Sequence, residues 1–149
     1  MKSTLSQTLY EQDFSRWVED TVQRLKDKNT ENLDWEHLIE EIEGLTRRER
    51  REIKQRLITL FEHALKRRYV SLQDCYRGWE VTLKRTQSKL RDILDDSPSL
   101  HSYFSEIIPL CYQEALETVR IEYDAFFPDD YRFPEKLNLL LTQAFWIDK

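Results

Sequence analysis

The chain has 149 residues, enough for one domain with a substantial core, yet it uses only two glycines and four prolines. Strand-rich folds place Gly at many tight turns, so this scarcity excludes a predominantly β architecture, and a 12% aromatic content excludes disorder. A net charge of −5 argues against wholesale nucleic-acid binding, and two isolated cysteines exclude both a disulfide scaffold and a structural zinc site.

The elements follow from apolar periodicity. Tyr10, Phe14, Trp17/Val18, Val22 and Leu25 predict a first helix over 8–28 with one apolar face. Asn29–Asn32 is a polar connection, and Asp34 is placed to cap the next helix. Leu38, Ile42 and Leu45 continue the pattern, which lapses over 46–52 and resumes at Ile53, Leu57, Leu60, Phe61, Ala64 and Leu65. Two structures fit, one helix over 34–69 or a break at Gly44–Thr46, and the continuous helix is favoured because a lone Gly44 costs only ~1 kcal/mol in a helix interior. The pairs Glu43–Arg47 and Glu52–Arg56 support it at i,i+4 spacing.

Tyr76, Trp79, Leu83, Leu90 and Ile93/Leu94 predict a third helix over 75–95. Ser97-Pro98 reads as a cap followed by Pro at the first position of a fourth. That fourth helix carries the stripe Leu100, Phe104, Ile107/Ile108, Cys111, Ala115, Val119, Tyr123 and Phe126, with Pro109 expected to kink or split it. Phe133-Pro134 opens a short last helix containing Leu137, Leu140/Leu141 and Ala144/Phe145. The expected fold is therefore one all-α domain over 1–149, an irregular bundle of about five helices with one long central helix and a Pro-kinked fourth. Within it, a helical pair over 8–45 is linked through a basic segment, 46–56, to a C-terminal bundle over 57–146.

Charge is unevenly divided. Residues Arg47–Arg91 hold 14 Lys+Arg against 5 Asp+Glu; the rest hold 9 against 23. A division like this builds either an interaction surface or an internally neutralised bundle. Arg47, Arg50, Arg51 and Lys54, joined further on by Lys66, Arg67 and Arg68, are the candidate contacts for an acidic partner or for phosphates. Trp35 and Trp146 stand near element ends as candidate interface anchors, with Trp17 and Trp79 on core stripes.

Tyr10-Glu11-Gln12-Asp13-Phe14 with Trp17 resembles the opening of a bacterial family, common in photosynthetic bacteria, called the domain of unknown function twenty-nine family. Leu38-Ile39-Glu40-Glu41-Ile42-Glu43 followed by Arg47–Arg51 is similar to its central block. His63-Ala64-Leu65-Lys66, Trp79, Ser97-Pro98-Ser99-Leu100 and Tyr112 with Ala115 extend the likeness over nearly the whole chain. Arg67 and Gly78 depart from the aromatic and the Ser often found there. The resemblance implies a small all-helical fold and no particular activity.

Chemistry-bearing motifs are sparse. His37, Glu40 and Glu43, with Glu41 beside them, form an acidic cluster that a metal-dependent enzyme could use. Carboxylate-bridged bundles, however, need Glu-x-x-His on two helices, and here the order is reversed and occurs once. The simpler reading is a solvated acidic face. A pairing of Cys75 or Cys111 with His63 or His101 is the remaining nucleophilic arrangement, and no phosphate-binding Gly loop or hydrolase motif occurs. No cofactor is implied. The expected function is a non-enzymatic protein-interaction module, with nucleic-acid binding or an antitoxin-like regulatory role second and a metal-dependent enzyme third. Met1–Gln7 has no apolar leader region, no run approaches the ~20 residues of a membrane span, and the thiols read as reduced, so a cytoplasmic location is expected.

Overall fold

In the computed structural model, residues 9–147 are described, and among them the regular structure is entirely helical. The elements are α1 (Phe14–Lys26), α2 (Trp35–Tyr69), α3 (Gln73–Asp96), a 3-10 turn (Pro98–Leu100), α4 (His101–Glu122) and α5 (Leu137–Thr142). The chain forms two compact units, Met1–Arg48 and Glu49–Lys149, so the boundary falls inside the uninterrupted α2.

In the first unit the predicted helix over 8–28 is broken. Residues 9–12 are helical, and Asp13 then leaves helical geometry (φ −149°, ψ 87°) while its carboxylate accepts the Arg16 N–H at 3.0 Å. Asp13 thus ends one helical turn and caps the next helix. At the other end Lys28 adopts the left-handed φ of 57°. Its N–H reaches the Leu25 carbonyl, and the Asn29 N–H reaches that of Arg24, a Schellman closure made without glycine. Asp34 caps α2 as expected, its carboxylate accepting the His37 N–H. The core of this unit is small, centred on Trp17 with Thr21 and Leu33.

The second unit holds the main core. Ile53, Leu57, Leu60, Phe61, Ala64 and Leu65 of α2 are fully buried with Leu83, Leu90 and Leu94 of α3 and Phe104, Cys111, Tyr112 and Val119 of α4. Phe61, Tyr112, Tyr131 and Phe133 interlock with ring centroids 5.2–6.1 Å apart, Phe61 and Phe133 stacked and the other pairs edge-to-face. Tyr112 also donates its hydroxyl to the Pro128 carbonyl at 2.8 Å.

Three local expectations change in this unit. The segment does not split at Pro109: α4 runs unbroken through it, because Pro109 and Ser105 lie on the exposed side, where water can satisfy the carbonyl that lost its donor. Ser97 does not cap α4; a 3-10 turn intervenes, and the Ser97 hydroxyl donates to Glu49 at 3.0 Å. The last helix covers only Leu137–Thr142. Its C-terminal carbonyls are held by Gln87, which is 1% exposed and gives its amide N–H groups to Leu140 (3.0 Å) and Gln143 (2.9 Å), and by Arg91, which donates to Leu141.

Candidate functional site

The first unit gathers a polar node that the sequence motifs did not single out. The Tyr10 ring stacks on His37 at 3.8 Å, and the Tyr10 hydroxyl donates to Glu41 at 2.6 Å. The His37 ring pairs through Nδ1 with Asp34, whose side chain is nearly buried. Trp17 closes the node edge-on to both rings. The hydrogen bond to the Glu41 carboxylate, reinforced by burial, pushes the Tyr10 phenol up to about 12. Each charged group is therefore partnered, and the node works as a clasp holding the helical turn at 9–12 to α2. Its signal in the sequence was the spacing Asp34-x-x-His37-x-x-x-Glu41, which puts a cap, a ring and a carboxylate on one face.

The acidic cluster does not converge on this node. Glu40 and Glu43 are exposed on another face of α2, while His37 turns to Asp34 and Tyr10. Among the described residues no three His, Cys, Asp or Glu side chains are placed to hold a metal ion. Cys111 and His63 also turn to other partners. Cys111 donates to the Lys54 carbonyl at 3.8 Å, with burial pushing its thiol up to about 12, and the His63 ring is bonded to the Thr59 carbonyl at 3.0 Å.

The predicted basic contacts have different fates. Arg47 and Arg51 are exposed and have no ion pair among the described residues. Arg50 is exposed, but its guanidinium lies 5.0 Å over the Tyr103 ring. Lys54 is half-buried and pairs with Glu114 at 3.5 Å. Further along, Lys66 is buried, 3.8 Å from Glu122, and Arg67 pairs with Glu80 at 2.6 Å while lying over Tyr76. Much of the positive surplus is thus neutralised within the second unit. Trp146, expected as an interface anchor, is 1% exposed and packed on Phe145 in the core. Trp35 is 49% exposed.

What sequence reasoning missed is an uncovered apolar face on the first unit. The two stripes read as buried are largely open: Phe14, Val22 and Leu25 on α1, and Trp35, Ile39, Ile42 and Leu45 on α2, are each 42–57% exposed. Trp17 and Thr21 take the positions facing α2, and His37 and Glu41 those facing Tyr10 and Trp17. Each helix turns ~100° per residue. Since the two helices run in opposite directions, both apolar stripes rotate to the same side of the hairpin. Half-exposed side chains of this size, at ~150–250 Å² each when whole, leave on the order of 600 Å² of apolar surface, the upper end for a monomer's largest patch.

The second unit also carries two open clefts of about 540 Å³. One is lined by Arg56, Arg85 and Lys89 with Thr82, Thr86 and Ser88. The other is lined by Arg77, Lys84, Val81 and Ile147 beside Trp146, whose buried Nε1 has no hydrogen-bond partner. Among the described residues no helix is long and apolar enough to cross a membrane. No curated protein and no solved structure matches the chain. A family model described as "Domain of unknown function DUF29" matches residues 9–146, spanning the hairpin and the larger core alike, and on that match the chain belongs to the DUF29 family.

Proposed function

We propose that this protein is a non-enzymatic protein-binding module and that its N-terminal helical hairpin is the recognition surface. The observation that carries this reading is the open face of seven large apolar side chains on α1 and α2. Soluble chains rarely leave so much contiguous apolar surface in water unless a partner covers it. Trp35 supplies the type of residue that anchors interfaces. The nucleic-acid reading is weaker, because Lys54, Arg56, Lys66 and Arg67 already have carboxylate partners.

The test is site-specific photo-crosslinking from Ile42 in cells of the source organism, with a matched probe at exposed Glu117 as control. Ile42 should trap a discrete polypeptide, and the double variant Ile39→Asp/Ile42→Asp should lose it while keeping its helical circular dichroism. If the same polypeptide is retained by that variant but lost on Arg47→Glu/Arg51→Glu, the hairpin face is not the recognition surface and the exposed arginines are.

A further inference from the structure

We infer that the cleft between α2 and α3 is a binding site for a phosphomonoester, held by Arg85 and Lys89 of α3 with Arg56 of α2 opposite them. The inference is independent of the hairpin face: it concerns the second unit and holds or fails on its own measurements. The cleft has a volume of about 540 Å³, within the ordinary range for small-molecule sites, and is lined by Arg56, Thr82, Arg85, Thr86, Ser88 and Lys89. Local sequence places these groups. Thr82, Arg85, Thr86 and Lys89 recur at i, i+3, i+4 and i+7 and so share one face of α3, with Ser88 one turn after Arg85. Arg56 comes from α2, so cations stand on both walls.

The state of these side chains selects the ligand. Elsewhere in this unit the cations of α2 are answered within the chain, Lys54 by Glu114, Lys66 by Glu122 and Arg67 by Glu80. Arg85 and Lys89 are exposed and have no ion pair among the described residues, and exposed Asp92, one turn beyond Lys89, pairs with neither. No carboxylate is among the described residues lining the cleft. Glu52 accepts the Arg56 Nε–H at 2.8 Å, which holds the guanidinium in place and cancels its charge while leaving the Nη groups as donors. The lining therefore keeps a surplus of two positive charges, those of Arg85 and Lys89. The Thr86 hydroxyl is used on the Thr82 carbonyl at 2.7 Å, whereas the Thr82 and Ser88 hydroxyls have no hydrogen bond among the described residues. A phosphomonoester at neutral pH carries about two negative charges and three terminal oxygens, all acceptors, and so answers both free cations and the hydroxyls together. A carboxylate or a phosphodiester brings one charge and leaves half of the surplus unanswered.

The experiment is calorimetric titration of the full-length protein with phenyl phosphate, and with phenyl sulfate as its singly charged counterpart. Phenyl phosphate should bind about tenfold more tightly than phenyl sulfate, and Arg85→Gln/Lys89→Gln should weaken it about tenfold with helical circular dichroism unchanged. Lys84→Gln, an exposed lysine outside this cleft, should leave the affinity as it was. Equal affinity for the two probes, the same affinity in Arg85→Gln/Lys89→Gln, or no binding at millimolar phenyl phosphate would each overturn the inference. A single-stranded oligonucleotide that displaces phenyl phosphate at micromolar concentration would make nucleic acid the occupant and overturn it too. The phosphomonoester has two sources, a soluble ester and a lipid headgroup. Co-sedimentation with vesicles containing phosphatidic acid, lost in Arg85→Gln/Lys89→Gln, would support the inference with the lipid as source. Phenyl phosphate binding without co-sedimentation would support it with the soluble ester.

Discussion

The two halves of α2 carry apolar residues at the same helical spacing and meet opposite environments. Ile39, Ile42 and Leu45 are 52–57% exposed, while Ile53, Leu57 and Leu60 are fully buried. Both sets belong to one uninterrupted helix of 35 residues. What differs is the supply of neighbours. The C-terminal half has α3, α4 and the aromatic cluster of Phe61, Tyr112 and Phe133 to pack on. The N-terminal half has only α1 and one helical turn, which use Trp17 and Tyr10 to grip the face bearing His37 and Glu41. Amphipathic spacing therefore marks a face as able to be buried, and burial itself depends on whether the chain provides a cover.

The largest effect that tests this contrast comes from truncating one residue in each half. Leu60→Ala should lose ~2–5 kcal/mol, since a fully buried leucine leaves a cavity. Ile42→Ala should change stability by no more than ~0.5 kcal/mol, as an exposed substitution. Urea unfolding of the two variants measures both, and comparable losses would mean that the Ile42 face is covered within the chain. Next in size is Asp34→Ala, which removes the α2 cap and the His37 partner together, at a cost of ~1 kcal/mol. Hydrogen exchange should place that loss in amides of residues 35–45 and leave those of residues 53–65 unchanged, because the small core of the first unit opens separately.

Lys28→Gly should stabilise the hairpin by up to ~1 kcal/mol, because Lys28 pays the steric cost of a left-handed φ that glycine does not. A thermal midpoint that falls for this variant would show that the Lys28 side chain contributes more than its backbone costs. The smallest effect concerns His63 in the buried half. Burial holds its imidazole below the ordinary 6.5, helped by Lys66 and opposed by the Thr59 hydrogen bond and Glu122. The unfolded chain then takes up a proton as pH falls through ~6.5 before the folded chain does, so His63 makes stability decline on acidification. His63→Gln should flatten the stability curve between about pH 6.5 and pH 5. An unchanged slope would assign the decline to other groups.

Much of the helical framework was legible in the sequence. The cap at Asp34, the continuity of α2 through Gly44 and the extent of α3 all follow from hydrogen bonds and side-chain spacing within a few residues, which sequence order displays directly. The break at Asp13 was open to the same reasoning, since Asp is a strong capping residue, but the apolar periodicity running past it hid the signal. Tertiary structure alone decided which apolar stripes are covered, why Phe126 stands 69% exposed once the chain leaves α4 at Tyr123, and why Trp146 is in the core. It alone brought Tyr10 onto His37 and set Glu114 beside Lys54. The reason is physical: a helix is specified by contacts between neighbours in sequence, whereas burial and charge pairing depend on which distant segments arrive, and a hydrophobic pattern states a capacity for contact without naming the partner that fulfils it.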